Sequence, residues 1–295
     1  MRLGCRGHDF GRSRLEELAG KVAGAGFESV QLALSKALSD APAAGALDAA
    51  YARRAAAAFA GRGVSIAVLG CYINPIHPDP AERAAGIARF KELLGLARDF
   101  GPDASAPVPA FPPPERPLAF PVVGTETGSR NADCSFHPGN SSDEAFELLV
   151  EALRELAAAA EAAGALACVE GVVRHVASSP ARLRAALDAA GSPRLGVILD
   201  PVNFLDETNW EARERIFDEA FELLGDRILV LHTKDFRIRG GALELCPPGK
   251  GLLDYPRLMR RLRAARPGAD ILIEDLATAD MAAAALHLRR AWEGA

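Results

Sequence analysis

Cysteines are few in this sequence, and none are paired. The five cysteines are scattered over 295 residues, and no two of them form a CxxC pair. A disulfide framework and a cysteine-ligated zinc site both need clustered cysteines, so we expect neither. We expect the thiols to be buried instead.

Long apolar runs and an excess of basic charge are also absent. Arg, Glu or Asp interrupts the alanine-rich stretches before the roughly 18 to 20 residues that a membrane span needs. The first residues lack the apolar core of a signal peptide. Lys and Arg number 34 against 39 for Asp and Glu, a net charge of −5, which disfavours binding of nucleic acid through overall charge. We therefore expect a cytoplasmic protein whose partner is neither a membrane nor a nucleic acid.

Glycine-rich loops that bind nucleotide phosphates are missing as well. Residues 248–251 lack the spacing of a Walker loop, and residues 124–128 lack that of a dinucleotide fingerprint. No nucleotide cofactor is expected. With 49% hydrophobic and 25% charged residues, the composition is that of a globular protein with a large core.

Short runs of β-branched residues and leucine alternate with long Ala-, Leu-, Arg- and Glu-rich stretches of helical period. This alternation is typical of βα units around a parallel sheet. Eight units in 295 residues average about 37 residues each, which predicts a single-domain (β/α)8 TIM barrel spanning residues 1–295. The predicted strands are 1–5, 29–34, 64–69, 120–124, 166–171, 195–200, 227–232 and 270–274, and the clearest helices are 80–100, 141–163 and 209–224.

One segment does not fit this alternation. Residues 101–121 contain eight prolines among small residues, so they can form neither a helix nor a central strand. We interpret them as a Pro-rich insertion between the third helix and the fourth strand. A surface loop is the favoured interpretation, and a lid or an oligomer contact are the alternatives.

Four successive strands in the second half of the chain each end on a residue type that binds metal ions. These residues lie 30, 32 and 42 positions apart, about one βα unit each, and they are Glu170, Asp200, His232 and Glu274. The carboxyl ends of parallel barrel strands face the same end, so we expect these side chains to converge there. Three carboxylates brought that close repel one another unless they are protonated or neutralised by a cation. The sequence therefore predicts one divalent metal ion.

The ligand types limit the choice of ion and suggest a reaction. Three carboxylates and one imidazole suit Mn²⁺, Mg²⁺, Co²⁺ or Zn²⁺, and ligation without cysteine favours a catalytic ion. Such an ion polarises a sugar carbonyl and stabilises the enediolate that forms when the neighbouring carbon loses a proton. Glu170 and Glu274 are candidates for the acid and base on either side of that carbon.

Several stretches around these residues are similar to those of one known family. They are residues 123–128, 169–171, 199–203, 232–235, 247–251 and 273–274. The sequence resembles the xylose isomerase-like (β/α)8 superfamily, which includes sugar-phosphate isomerases and epimerases, ketose 3-epimerases, inosose dehydratases and endonuclease IV. The resemblance covers nearly the whole chain outside the Pro-rich segment. It implies that Glu170, Asp200, His232 and Glu274 are the metal ligands and that the two glutamates form the acid/base pair.

Two departures from the family pattern narrow the choice of reaction. Many members have Asp-x-x-His on the sixth strand, whereas this sequence has Asn203, which can hydrogen-bond a hydroxyl but cannot take up a proton as imidazole does. The additional ligands of the trinuclear zinc site of endonuclease IV are missing after the sixth and seventh strands. Cleavage at abasic sites is therefore the least favoured reaction.

Five residues near the expected barrel mouth are predicted to bind the substrate, with an ordinary structural role as the alternative for each. They are Asn203, Lys234, Glu126, His175 and His8, and weaker candidates are Gln31 and His77. Lys234, Arg237, Arg239 and the nearby Lys250 also make the seventh loop locally basic. Such a loop attracts a phosphorylated or carboxylated sugar, or it is simply solvated.

Taken together, these features predict a divalent-metal-dependent isomerase or epimerase that acts on a small sugar or sugar phosphate through an enediolate. One alternative is a lyase that removes water from an inosose-like ring by the same intermediate. Another is a sugar-binding barrel that keeps the ion without turnover. The expected partner is a small-molecule sugar, and a homo-oligomer is left open.

Overall fold

Eight parallel strands form the centre of the molecule, in a computed structural model that describes residues 1–43, 45–105, 111–113 and 115–295. The barrel strands are β1 (Arg2–Arg6), β2 (Ser29–Leu32), β3 (Ser65–Gly70), β4 (Val122–Glu126), β5 (Ala167–Glu170), β6 (Leu195–Leu199), β7 (Ile228–Thr233) and β10 (Asp270–Ile273). They close in the order β1-β10-β7-β6-β5-β4-β3-β2, which confirms the predicted TIM barrel.

Helices connect these strands on the outside of the barrel. They are α1 (Leu15–Gly24), α2 (Leu34–Ala37), α3 (Ala49–Ala60), α4 (Pro80–Leu96), α5 (Asp143–Ala163), α6 (Pro180–Ala190), α7 (Arg213–Leu224), α8 (Tyr255–Ala265) and α9 (Met281–Glu293). The limits of α5 follow local chemistry, because the Ser142 side chain caps its first turn and Gly164 ends it with φ 60°. No helix within the described ranges combines the length and apolarity needed to cross a membrane.

The loop after β7 contains an antiparallel hairpin that the sequence analysis missed. It consists of β8 (Asp235–Arg239) and β9 (Ala242–Cys246). The buried Asp235 carboxylate organises it by accepting hydrogen bonds from the backbone N–H groups of Gly249 and Gly251, both at 3.0 Å. A Cβ at position 251 would lie 2.2 Å from that carboxylate, so glycine is required there.

Inward-facing side chains fill the barrel as a packed core. Residues from most of the strands form one buried cluster, and small residues make room for large neighbours. At position 124, for example, an added Cβ would lie 2.5 Å from Cδ1 of Ile198. The members of the cluster are Ala67, Val68, Leu118, Phe120, Val122, Leu166, Cys168, Ile198, Leu229, Val230 and Leu272.

The described part of the Pro-rich segment covers the amino-terminal end of the barrel. Leu118 and Phe120 belong to the core cluster, and the Leu118 carbonyl accepts a hydrogen bond from Arg2, the first residue of β1. Arg266, which precedes β10, donates to the Pro112 carbonyl. This end is opposite to the carboxyl ends of the strands, so the described residues do not form a lid over them. Pro107, Pro109 and Pro114 lie outside the described residues.

We expect Phe120→Ala to lower the free energy of unfolding by about 3–5 kcal/mol, because it leaves a cavity at the closed end of the barrel. Phe120 is 7% exposed, whereas Phe136 is 60% exposed. The matched variant Phe136→Ala should therefore change stability by no more than about 0.5 kcal/mol. Urea unfolding measures both, and equal losses would contradict this account of the core.

Candidate metal centre and substrate cavity

The four expected metal-ligand residues converge at the carboxyl end of the barrel. Glu170 ends β5, Asp200 follows β6, His232 lies in β7 and Glu274 follows β10. Each residue offers one potential ligand atom, and these four atoms all lie within 4.8 Å of one another. All four residues are at most 5% exposed. The spacing in the sequence therefore predicted their meeting point correctly.

The imidazole of His232 is oriented by Gln31, which lies on β2. Nε2 of His232 donates to Oε1 of Gln31 over 2.7 Å, and the Gln31 amide nitrogen in turn donates to the Tyr72 hydroxyl. This contact keeps the proton of a neutral imidazole on Nε2 and leaves a lone pair on Nδ1. Gln31 therefore supports the cluster from behind and is not a sugar ligand.

Nδ1 of His232 faces two carboxylates without making a hydrogen bond. It lies 3.1 Å from an oxygen of Glu274 and 3.4 Å from one of Glu170. A neutral imidazole would place three acceptors against one another, so this spot requires a proton or a metal cation. Burial alone lowers the pKa of His232, but Glu170 and Glu274 outweigh burial and raise the pKa to about 10.

Lys234 reaches the same cluster from the residue after β7. Its Nζ lies 2.9 Å from Oδ2 of Asp200 and donates a hydrogen bond to Glu274. Burial disfavours its charge, yet these carboxylates raise its pKa well above the usual value. Lys234 also lines the cavity described below, so the prediction that it points to the mouth is right, but its ion pairs with two potential ligands were not foreseen.

Arg6, at the end of β1, is a second fixed cation that the sequence analysis missed. It lies 2.8 Å from Asp9 and 2.7 Å from Asp275, and its other terminal nitrogen lies 3.7 Å from Glu274. Its position at the end of the first predicted strand was the available signal. The backbone of Asp275 has a positive φ of 54°, which is uncommon for a residue other than glycine.

The carboxylates of this region outnumber its fixed cations. Arg6 and Lys234 offset two of the five neighbouring carboxylates. The others need either a metal cation or protons, because Glu170 and Glu274 raise the pKa of His232 to about 10 and burial raises the pKa of Asp200 well above its usual value. Asp200 Oδ2 is ion-paired to Lys234 but, like Nδ1 of His232, makes no hydrogen bond. Three carboxylates and a neutral imidazole fit a divalent ion. The five carboxylates are Asp9, Glu170, Asp200, Glu274 and Asp275.

Asn203 fixes one of the two glutamates. Its Nδ2 donates to Oε1 of Glu170 over 2.7 Å, and both residues line the cavity. Where many relatives have histidine, this chain therefore has a group that orients Glu170 without exchanging protons.

Glu126 and His175 form a separate pair beside the cluster. Nε2 of His175 contacts the Cys134 carbonyl oxygen at 3.0 Å, so its Nδ1, 3.5 Å from Glu126, lacks a proton and any hydrogen bond. Burial and the charge of Glu170 raise the pKa of Glu126 to about 7, whereas burial lowers the pKa of His175. Glu126 is therefore partly protonated at neutral pH.

A cavity of about 630 Å³ opens above the cluster. His8 lines it, and burial together with Arg6 and Lys36 lowers the His8 pKa to about 4. His175 does not line the cavity, and its Nδ1 lies 3.5 Å from Glu126, which does. The other lining residues named in the sequence analysis are Glu126, Glu170, Asn203, Lys234, Glu274 and His77.

The basic loop expected to attract an anionic sugar is arranged differently. Arg237 and Arg239 lie on the hairpin, where both pair with Glu244 at 3.3 and 3.4 Å. Neither they nor Lys250 line the cavity. Of this group, only Lys234 lines the cavity and pairs with the cluster.

We expect Gln31→Met to weaken binding of Mn²⁺ or Zn²⁺ by about 10- to 100-fold, because the His232 ring loses the group that fixes its tautomer. Competition with a chromophoric chelator measures the affinity. Thr125→Val is the control, since it removes a buried hydrogen bond to Ile73 that does not touch the cluster. Unchanged affinity in Gln31→Met would exclude His232 as an oriented ligand.

Several solved structures have the same fold as this chain. The structure of D-psicose 3-epimerase with D-tagatose from Clostridium cellulolyticum H10 has a TM-score of 0.70 at 16% identity and 99% coverage of both chains. A 3-keto-D-glucoside 4-epimerase from E. coli has a TM-score of 0.70 at 16% identity, covering 98% of this chain and 99% of that one. A xylose isomerase-like TIM barrel protein from Mycobacterium smegmatis in complex with magnesium has 0.65 at 15% identity, covering 95% and 88%.

A curated relative and a family model match the sequence itself. The relative is 3-oxo-isoapionate decarboxylase from Pectobacterium atrosepticum, strain SCRI 1043 / ATCC BAA-672, which is 32% identical over 96 residues. That match spans 30% of this chain and 33% of the relative's length. The family model, described as xylose isomerase-like TIM barrel, matches residues 19–291. The chain therefore belongs to the xylose isomerase-like TIM barrel family.

Proposed function

We propose that this protein is a divalent-metal-dependent isomerase or epimerase that moves a proton on the carbon next to the carbonyl group of a sugar. The observation that carries the proposal is the unsatisfied Nδ1 of His232 among three buried carboxylates. The names of the structurally similar epimerases and of the decarboxylase relative support a sugar-type substrate.

Glu170, Asp200, His232 and Glu274 would hold the ion. When bound, it would polarise the substrate carbonyl and so acidify the neighbouring C–H bond. The protein's own contribution begins with His232, whose orientation by Gln31 makes its Nδ1 available. Lys234 and Arg6 reduce the repulsion among the carboxylates and remain charged throughout the reaction.

Glu274 is the better candidate for the base that removes the proton. Burial alone would raise its pKa, but Lys234 and His232 outweigh burial and lower the pKa well below the usual value. Glu274 is therefore ionised at neutral pH and lines the cavity. Glu274 then carries the proton and can return it to the carbon or to a neighbouring oxygen. Glu170, which accepts a hydrogen bond from Asn203, is the second carboxylate of the site and can protonate the carbon only after it has itself taken up a proton from solvent.

We expect Glu274→Gln to reduce the exchange of a carbon-bound substrate proton with solvent deuterium by at least about 100-fold, because the amide cannot accept that proton. The test uses Mn²⁺-loaded protein and a panel of ketoses and keto-sugar acids in D₂O, followed by proton NMR. Glu244→Gln, on the distant hairpin, should retain full exchange.

Two results would overturn the proposal. Full exchange in Glu274→Gln would remove that residue from the reaction. Binding of a sugar without any exchange would identify a sugar-binding barrel instead. An endonuclease IV-like function has less support, since the described residues bring together one group of potential ligands and not a trinuclear set.

The position of Glu126 favours a second candidate, a lyase that removes water. After Glu274 takes the proton from the carbon next to the carbonyl, the electron pair can expel a hydroxyl from the following carbon. That hydroxyl leaves as water only if it receives a proton, and Glu126, with a pKa of about 7, lines the same cavity and can donate one. The product is lighter than the substrate by one water, whereas an epimer keeps its mass.

If any substrate in the panel loses water, we expect Glu126→Gln to slow that loss by about 100-fold while changing deuterium exchange by less than about threefold, because only elimination needs the acid. Mass spectrometry and NMR on the same samples separate the two steps. A parallel loss of both would show that Glu126 acts in binding instead.

A further inference from the structure

A second cavity adjoins the first on the side away from the carboxylate cluster. It measures about 340 Å³ and lies between α2, the following loop and α4. Lys36, Tyr72 and Arg89 line both cavities and therefore mark the boundary between them. The wall of the second cavity is largely apolar, with Leu34, Leu47, Cys71 and Leu93.

Lys36 and Arg89 are cations without acidic partners. The Lys36 ammonium lies 4.2 Å from the centre of the Tyr72 ring. Within the described part of the chain, neither Lys36 nor Arg89 lies within 4.0 Å of a carboxylate, in contrast to Arg6 and Lys234. A ligand that reaches this boundary therefore meets two exposed cations that form no ion pair with the described residues, with Glu82 lining the first cavity and Glu92 the second.

The placement of Arg89 is built into α4. Glu82, Gly86 and Arg89 lie four and three residues apart, on the helix face that lines the first cavity. Gly86 allows this face to approach the segment after β3, because an added Cβ would lie 3.3 Å from Cβ of Ile73. Glu82, in the first turn of α4, is the acidic member of this face.

His8 adds a neutral group near the same region. Its Nδ1 is buried and has no hydrogen-bond partner, and Lys36 is among the charges that lower its pKa. The side of the cavity formed by the loops after β1, β2 and β3 therefore offers positive charge and an unsatisfied ring nitrogen, and the cluster occupies the other side. A ligand that spans the cavity would match this division with a neutral hydroxy-carbonyl end and an anionic end.

We propose that the substrate carries an anionic group, a carboxylate or a phosphate ester, which binds between Lys36 and Arg89 where the two cavities meet. The assignment of the opposite end, a carbonyl at the carboxylate cluster, rests on the proposed function. The anion site itself does not, because it is formed by other residues.

The first test examines the anion site alone. Inorganic phosphate and acetate are titrated into the metal-free protein, and binding is followed by ³¹P NMR or calorimetry. We expect millimolar binding of at least one anion, weakened by about tenfold or more in Lys36→Gln and in Arg89→Gln through loss of a charge-assisted contact. Arg237→Gln is the matched control, since it removes a cation from the hairpin and should leave the affinity unchanged. No binding, or equal binding in all variants, would overturn the proposal.

The second test connects the site to turnover. D-fructose, D-fructose 6-phosphate and D-fructuronate share a hydroxy-carbonyl end and differ in charge. We expect kcat/KM for deuterium exchange to be at least about tenfold higher for one of the anionic sugars than for D-fructose. In Lys36→Gln this ratio of kcat/KM values should fall towards one, while exchange of neutral D-fructose persists. A higher kcat/KM for D-fructose 6-phosphate or for D-fructuronate shows whether the site binds a phosphate ester or a carboxylate.

The two proposals fail in different ways. Exchange without any preference for an anionic sugar would contradict the proposed anion site but not the proposed isomerase activity. Anion binding that depends on Lys36 and Arg89, without exchange of any sugar, would support the anion site and contradict the proposed isomerase activity.

Discussion

The mutual repulsion of buried carboxylates is the constraint on which this site depends. Glu170, Asp200 and Glu274 are brought together at the end of a closed barrel, where little water screens them. Lys234 and Arg6 offset part of that negative charge, and the unsatisfied Nδ1 of His232 marks where the remainder is concentrated. A proton or a metal cation is needed at this place.

The barrel supplies the rigidity that such a charge arrangement requires. Its closed strands fix the position of each ligand residue, and the packed interior below them, completed by Leu118 and Phe120, prevents the cluster from relaxing inwards. The Pro-rich segment contributes to stability at the amino-terminal end, and the loops at the carboxyl end are left to form the cavity. Stability and chemistry are thus separated along the barrel axis.

The cavity is electrostatically divided. Negative charge lies on the side of β5, β6 and β10, whereas the unpaired cations Lys36 and Arg89 lie on the side of β2 and β3. Glu126 stands between these regions with a pKa near 7, because burial and the neighbouring Glu170 disfavour its charge. This division matches the substrate that we propose, with a neutral end at the carboxylate cluster and an anionic end between Lys36 and Arg89.

The alternation of apolar runs and helical stretches determined the barrel, and the residue at the end of each late strand determined the ligand cluster. Both could be predicted because they depend on local periodicity and on the common direction of parallel strands. Only the tertiary structure decided that Gln31 orients His232, that Arg6 and Lys234 pair with carboxylates of the cluster, and that the arginines of the hairpin pair with Glu244 and do not line the cavity. Gln31 and His232 are 201 positions apart, and Arg6 and Glu274 are 268 apart. Such pairs are selected by side-chain geometry across the closed barrel, which leaves no periodic signal in the sequence.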